Sequence, residues 1–137
     1  DVTSATTLVS GSRYRIEVSG TFSAGANITA DAEYASGPTS YVWQDFVELY
    51  EGEGEGLLEL RIDGSFVEWG AYNPNHVYTL DIIGQGSPIV LDIYDIYYPN
   101  NNGTLTADLY IVPAPGALLL ASLGLACVRR FRTLRNG

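Results

Sequence analysis

The chain has 137 residues, 46% of them hydrophobic, and a formal net charge of −9, enough for one domain with a single core and a tail. Up to Val112 sixteen acidic residues face only Arg13, Arg15 and Arg61, a net of −13, whereas the last 25 residues carry four arginines and no acid. So acidic a body repels phosphate backbones, which argues against nucleic acid as a partner, and its carboxylates suit a hard cation such as Ca²⁺ or simple solubility.

Taken in chain order, Ser10-Gly11 is the first turn signal, and Tyr14, Ile16 and Val18 then alternate with polar residues as a half-buried strand does. In "ADAEY" the same alternation sets Asp31 and Glu33 on one face of a strand and Ala30, Ala32 and Tyr34 on the other. The two carboxylates are read as a solvated face, the alternatives being an acid/base pair or a second cation site. Ser36-Gly37-Pro38 is a turn, and "EGEGEG" at 51–56, glycine-rich and crowded with like charges, is a solvated loop. Leu58, Leu60 and Ile62 begin the next strand. Asp63-Gly64, between "LLELRI" and "SFVEW", predicts a two-residue hairpin turn, because both residues tolerate positive φ. His76, the only histidine, is expected as a solvated turn residue at the start of a strand through Tyr78, Leu80 and Ile82. Gly84-Gln85-Gly86 separates that strand from one at Ile89, Leu91 and Ile93. Asn102-Gly103 precedes a last strand at Leu105, Leu109 and Ile111.

Short alternating segments, frequent turns, no internal repeat and no helix before residue 112 predict an all-β, antiparallel β-sandwich of the lectin-like or jelly-roll type over 1–112. Cys127 is the only cysteine, so no disulfide forms within the chain, and the body depends on its core or on a metal. With one histidine and one cysteine there is no Ser/His/Asp or Cys/His constellation, and the chain is read as noncatalytic. Trp43 and Trp69 are candidates either for the core or for stacking on a sugar ring. Asn27 and Asn102 each open an Asn-x-Thr triplet, a pattern short enough to occur by chance.

From 116 to 128 the chain is uncharged and rich in Leu, Ala and Gly, which predicts a hydrophobic helix. Pro113 and Pro115 stand before it, where a helix tolerates proline, and Arg129, Arg130, Arg132 and Arg135 after it, as at the cytoplasmic end of an anchor. "VPAPGALLL...VRRFR" resembles the PEP-CTERM sorting signal of bacterial surface proteins, with Val112, Pro113, Ala114 and Pro115 at the proline motif and Ala114 in place of that family's usual glutamate. The resemblance implies a secreted or cell-surface protein, held transiently in the membrane through 113–137 and processed by an exosortase-type transpeptidase. The chain starts at Asp1 rather than methionine, so the numbering begins after processing or in a fragment, and a removed secretory signal would fit.

Asp95, Asn100 and Asn101 place one carboxylate and two amide oxygens in a single loop, and Tyr97 adds a backbone carbonyl. Such oxygen donors suit Ca²⁺, the alternative being an ordinary polar turn. "VSGTFSAG" and "YDIYYPNNNGTLTADL" resemble the two calcium-site segments of bacterial PA-IL-type galactophilic lectins, which are β-sandwiches. That resemblance implies Ca²⁺ held by Asp95, the Tyr97 carbonyl, Asn100, Asn101 and the Ala24 carbonyl, with sugar hydroxyls completing its shell. Ala24 stands where the lectins have an aromatic residue, so a stacking ring must come from elsewhere, with Trp43 a candidate beside Asp95 and Asn101. The expected partners are a membrane transpeptidase, extracellular polysaccharide or another glycan, and a second copy of the chain. The alternative is a structural component of the cell surface or matrix, with calcium as a staple.

Overall fold

The computed structural model describes residues 1–25, 27–37, 40–45, 58–95 and 98–114. The "EGEGEG" loop, Tyr97, Pro115, the expected helix and its arginines lie outside the described residues, among which no helix is long and apolar enough to cross a membrane. The described chain is all-β. Its strands are β1 (Val2–Thr3), β2 (Arg13–Ser19), β3 (Phe22–Ala24), β4 (Thr29–Ala30), β5 (Tyr34–Gly37), β6 (Ser40–Asp45), β7 (Leu60–Ile62), β8 (Val77–Ile83), β9 (Val90–Ile93), β10 (Asn101–Gly103) and β11 (Thr106–Ile111). They form three antiparallel sheets in the orders β1-β9-β7, β10-β3-β4-β5-β6 and β11-β2-β8.

β2 shows how period-two alternation becomes packing. Tyr14, Ile16 and Val18 are buried, whereas Arg13 and Arg15 stay on the wet face. Arg15 lies opposite Asp81 of β8, and its Nε donates to Asp81 Oδ1 at 2.7 Å. The buried side of β2 joins Leu8, Leu60, Ile62, Trp69, Tyr78 and Ile89 in the main core. A smaller core of Phe22, Ala24, Ala30, Ala35 and Leu58 lies under the five-stranded sheet.

Asp63 and Gly64 both have positive φ, 50° and 72°, and Ile62 bridges Ser65, as a primed turn requires. The expected second arm does not follow: "SFVEW" forms no strand, Phe66 is exposed, and the segment ends with Trp69 in the core. Trp69 is buried, and its indole N–H donates to the Leu60 carbonyl at 2.8 Å. The turn is fastened to β9 instead: Asp63 N–H donates to Val90 O, and Val90 N–H donates to Asp63 Oδ1. β7 accordingly pairs with β9, and Arg61 opposite Asp92 forms an ion pair with it.

Candidate functional site

The two segments singled out for a cation meet in space. β10 runs antiparallel to β3 with Asn101 opposite Ala24, Asn102 opposite Ser23 and Gly103 opposite Phe22. A 3-10 turn, Tyr98–Asn100, delivers the chain to β10, and Asn100 Nδ2 donates to the Ala24 carbonyl at 3.0 Å. Asn101 Oδ1 is buried and accepts no hydrogen bond among the described residues, and Asp95 Oδ2, two residues beyond β9, is buried as well. A buried acceptor without a partner costs about 1–3 kcal/mol.

The donors fit Ca²⁺. Amide, carbonyl and carboxylate oxygens are the donor types a hard ion takes, although no cluster of three or more His, Cys, Asp and Glu occurs among the described residues. Rotating the Asn100 amide by half a turn would put Oδ1 where Nδ2 now lies, 3.0 Å from Ala24 O. Two oxygens so close repel each other unless a cation lies between them. Neighbouring ligands in the equatorial plane of a calcium shell are about 2.8 Å apart, given Ca–O distances of about 2.4 Å.

Gly25 keeps this corner open. Its φ is +74°, and a Cβ there would sit 2.6 Å from Asn100 Nδ2. Gly25→Ala is expected to cost more than about 1 kcal/mol and to push Asn100 off Ala24. Urea unfolding measures the first effect and the calcium dependence of the midpoint the second. An unchanged midpoint would mean that the corner tolerates a side chain.

The expectation for "ADAEY" is corrected. Asp31 and Glu33 do not form a solvated strand face: Asp31 is 0% exposed, Glu33 is buried, and Asp31 lies between β4 and β5 rather than within a strand. Asp31 Oδ1 accepts the backbone N–H groups of Glu33 (2.9 Å) and Tyr34 (2.7 Å), a local turn that competes with strand pairing. Oδ2 accepts the Tyr78 hydroxyl and meets His76 Nδ1, both at 2.8 Å. Glu33 accepts the backbone N–H of Trp69 at 3.1 Å. Both carboxylates are structural, their charges met by donors that the polar pattern of the sequence does not reveal.

His76 does occupy a turn, with φ +52°, but its ring is half-buried rather than fully solvated. It faces Asp31 on one side and lies 4.4 Å from the Trp43 ring, which in turn stacks on Tyr72 at 5.9 Å. Trp43 belongs to β6 and Asn101 to β10, opposite edges of one sheet, four strand spacings or roughly 19 Å apart along it. Trp43 is therefore not the ring that stacks on a sugar held at Asp95 and Asn101. The aromatic that does lie beside the oxygen donors is Tyr98, 54% exposed, its hydroxyl donating to Ile93 O. The "YYPNNN" run contains it, but sequence alone does not separate it from its neighbours.

Burial first, and the hydrogen bond to Asp31 second, raise the Tyr78 phenol well above its ordinary pKa of 10.0. A raised folded-state pKa means that the contribution is fully present below about pH 10 and is lost as pH climbs toward the folded-state value. Stability is expected to fall between about pH 9 and about pH 11, and Tyr78→Phe to flatten that slope. Urea midpoints across this range provide the check, and an identical slope in the variant would remove Tyr78 as its source.

At the other end of the body, Val112 N–H donates to Arg13 O, extending the pairing of β11 with β2, and Pro113 and Ala114 are exposed and outside any strand. Comparison of the chain with protein-family models, with curated proteins and with solved structures finds no match.

Proposed function

We propose that residues 1–112 are a noncatalytic, calcium-dependent carbohydrate-binding domain of the cell surface, exported with a C-terminal sorting tail that an exosortase-type transpeptidase processes. The observation that carries this reading is the register of Asn101 opposite Ala24, which joins two distant segments, together with a buried Asn101 amide oxygen that accepts no hydrogen bond among the described residues. Asp95, Asn100, Asn101 and the Ala24 carbonyl hold the ion, with Tyr97 as a fifth donor from its backbone. The ion supplies a positive charge for vicinal sugar hydroxyls, and Tyr98 offers an exposed ring beside them.

Titrating galactose, glucose and mannose into the calcium-loaded protein is the test, with expected dissociation constants in the micromolar to millimolar range, about −4 to −8 kcal/mol. No heat or chemical-shift change with any of the three would sink the sugar reading. One observation favours a structural role as the second reading: Asn100 already ties the loop before the edge strand β10 to β3. In that role calcium fastens the edge of the five-stranded sheet, and the domain serves as a component of the surface or matrix.

A further inference from the structure

A cleft of about 610 Å³ opens between the β1-β9-β7 sheet and the β11-β2-β8 sheet, within the size range of small-ligand sites. Its walls are aliphatic, built by Ile16, Leu60, Leu91, Ile93, Leu105 and Leu109. Ala107 shows how open it is. This residue lies opposite Val18, which is 0% exposed, and so shares the inner face of its sheet, yet Ala107 itself is exposed. A small side chain at that position leaves room where a sandwich ordinarily has core. Asn101, Thr104 and Tyr98 are polar members of its lining, and the Asn101 amide oxygen, itself buried, accepts no hydrogen bond among the described residues.

These features select a ligand class. Aliphatic walls favour an alkyl chain, and the Asn101 oxygen requires a hydroxyl donor or a cation. Asp1, Asp92 and Asp108 among the lining residues, in a body of net charge −13, disfavour a carboxylate or phosphate head. We propose that the cleft holds the aliphatic chain of a neutral, hydroxylated amphiphile, with its head at Asn101. The head assignment rests on the carbohydrate reading above, whereas the chain assignment stands on the cleft alone. With calcium bound, Asn101 faces the ion and the head hydroxyls meet the ion beside it.

The probes are octyl galactoside, methyl galactoside and octanol, titrated into the full chain below the micelle concentration, in calcium and in chelator. Octyl galactoside is expected to bind at least tenfold tighter than methyl galactoside. Ala107→Phe fills the inner face and abolishes that difference, leaving the methyl galactoside titration unchanged, and Ala107→Leu, a smaller increment that keeps the proposal testable if the phenylalanine variant misfolds, reduces the difference in part. Equal affinities for the octyl and methyl sugars would overturn the proposal, as would a tenfold difference that survives in both variants. Octanol binding as tightly as octyl galactoside, with or without calcium, would keep the aliphatic site and sink the carbohydrate reading on which the head assignment rests.

Discussion

Asp31→Ala lowers stability by about 3–5 kcal/mol in urea unfolding, a large share of the 5–15 kcal/mol that typically holds a domain together. The side chain is 0% exposed and receives two backbone N–H groups, the Tyr78 hydroxyl and His76 Nδ1. Alanine removes the acceptor for all of them and leaves the donors buried, each with a desolvation cost of about 1–3 kcal/mol that local relaxation recovers only in part. Asp31→Asn is the informative companion. Its Oδ1 still accepts both backbone N–H groups, and its amide donates to the Tyr78 oxygen or to a neutral His76 ring, so less than half of the loss is expected. If Asp31→Ala stays within about 1 kcal/mol of the parent, the carboxylate is solvated, as its place in an alternating pattern suggests.

Calcium is expected to raise the melting temperature by roughly 10 °C when free ion stands at a hundred times its dissociation constant, a gain of about 2.7 kcal/mol. Chelation reverses the shift, and Mg²⁺ restores less of it, since the smaller ion demands a tighter octahedron and parts reluctantly with its water. Asp95→Ala removes the shift. Asn101→Ala separates the ion from the fold: it also removes the calcium effect, yet in chelator it costs little, because it deletes a buried oxygen that accepts no hydrogen bond among the described residues. A full calcium shift in Asp95→Ala would place the ion elsewhere in the chain. A large loss for Asn101→Ala in chelator would show that the amide has a partner of its own.

The strands with strict alternation, β2 and β8, are legible in the sequence because each has one face against a core, and period two reports that directly. The Asp63-Gly64 turn is legible for a similar reason, since local φ preference decides it. Its pairing is not. Whether β7 continues into a hairpin or joins β9 depends on Trp69 entering the core, a tertiary choice that competes with the local one. Asp31 fails most sharply, because a buried carboxylate and a solvated one write the same letter into an alternating pattern. What distinguishes them is His76 and Tyr78, far along the chain. Loop chemistry and resemblance single out Ala24, Asn100 and Asn101 in the sequence, and the β3–β10 register brings them together. The cleft leaves no local trace, for it is made by two sheets failing to close over one small residue.

The position of β2 at the centre of its sheet also bears on how the chain comes to be folded. Its neighbours are β8, beginning at Val77, and β11, beginning at Thr106, so the strand made second must wait for one of the last. Until residues 77–83 are available Tyr14, Ile16 and Val18 have neither of their partner strands, and this sheet is complete only when Ile111 has joined it. Non-local pairing of this kind folds on the slow side, in milliseconds to seconds, and leaves an apolar edge open to wrong partners meanwhile. Closure of this sheet is thereby tied to β11, the neighbour of β2 that lies farther along the sequence.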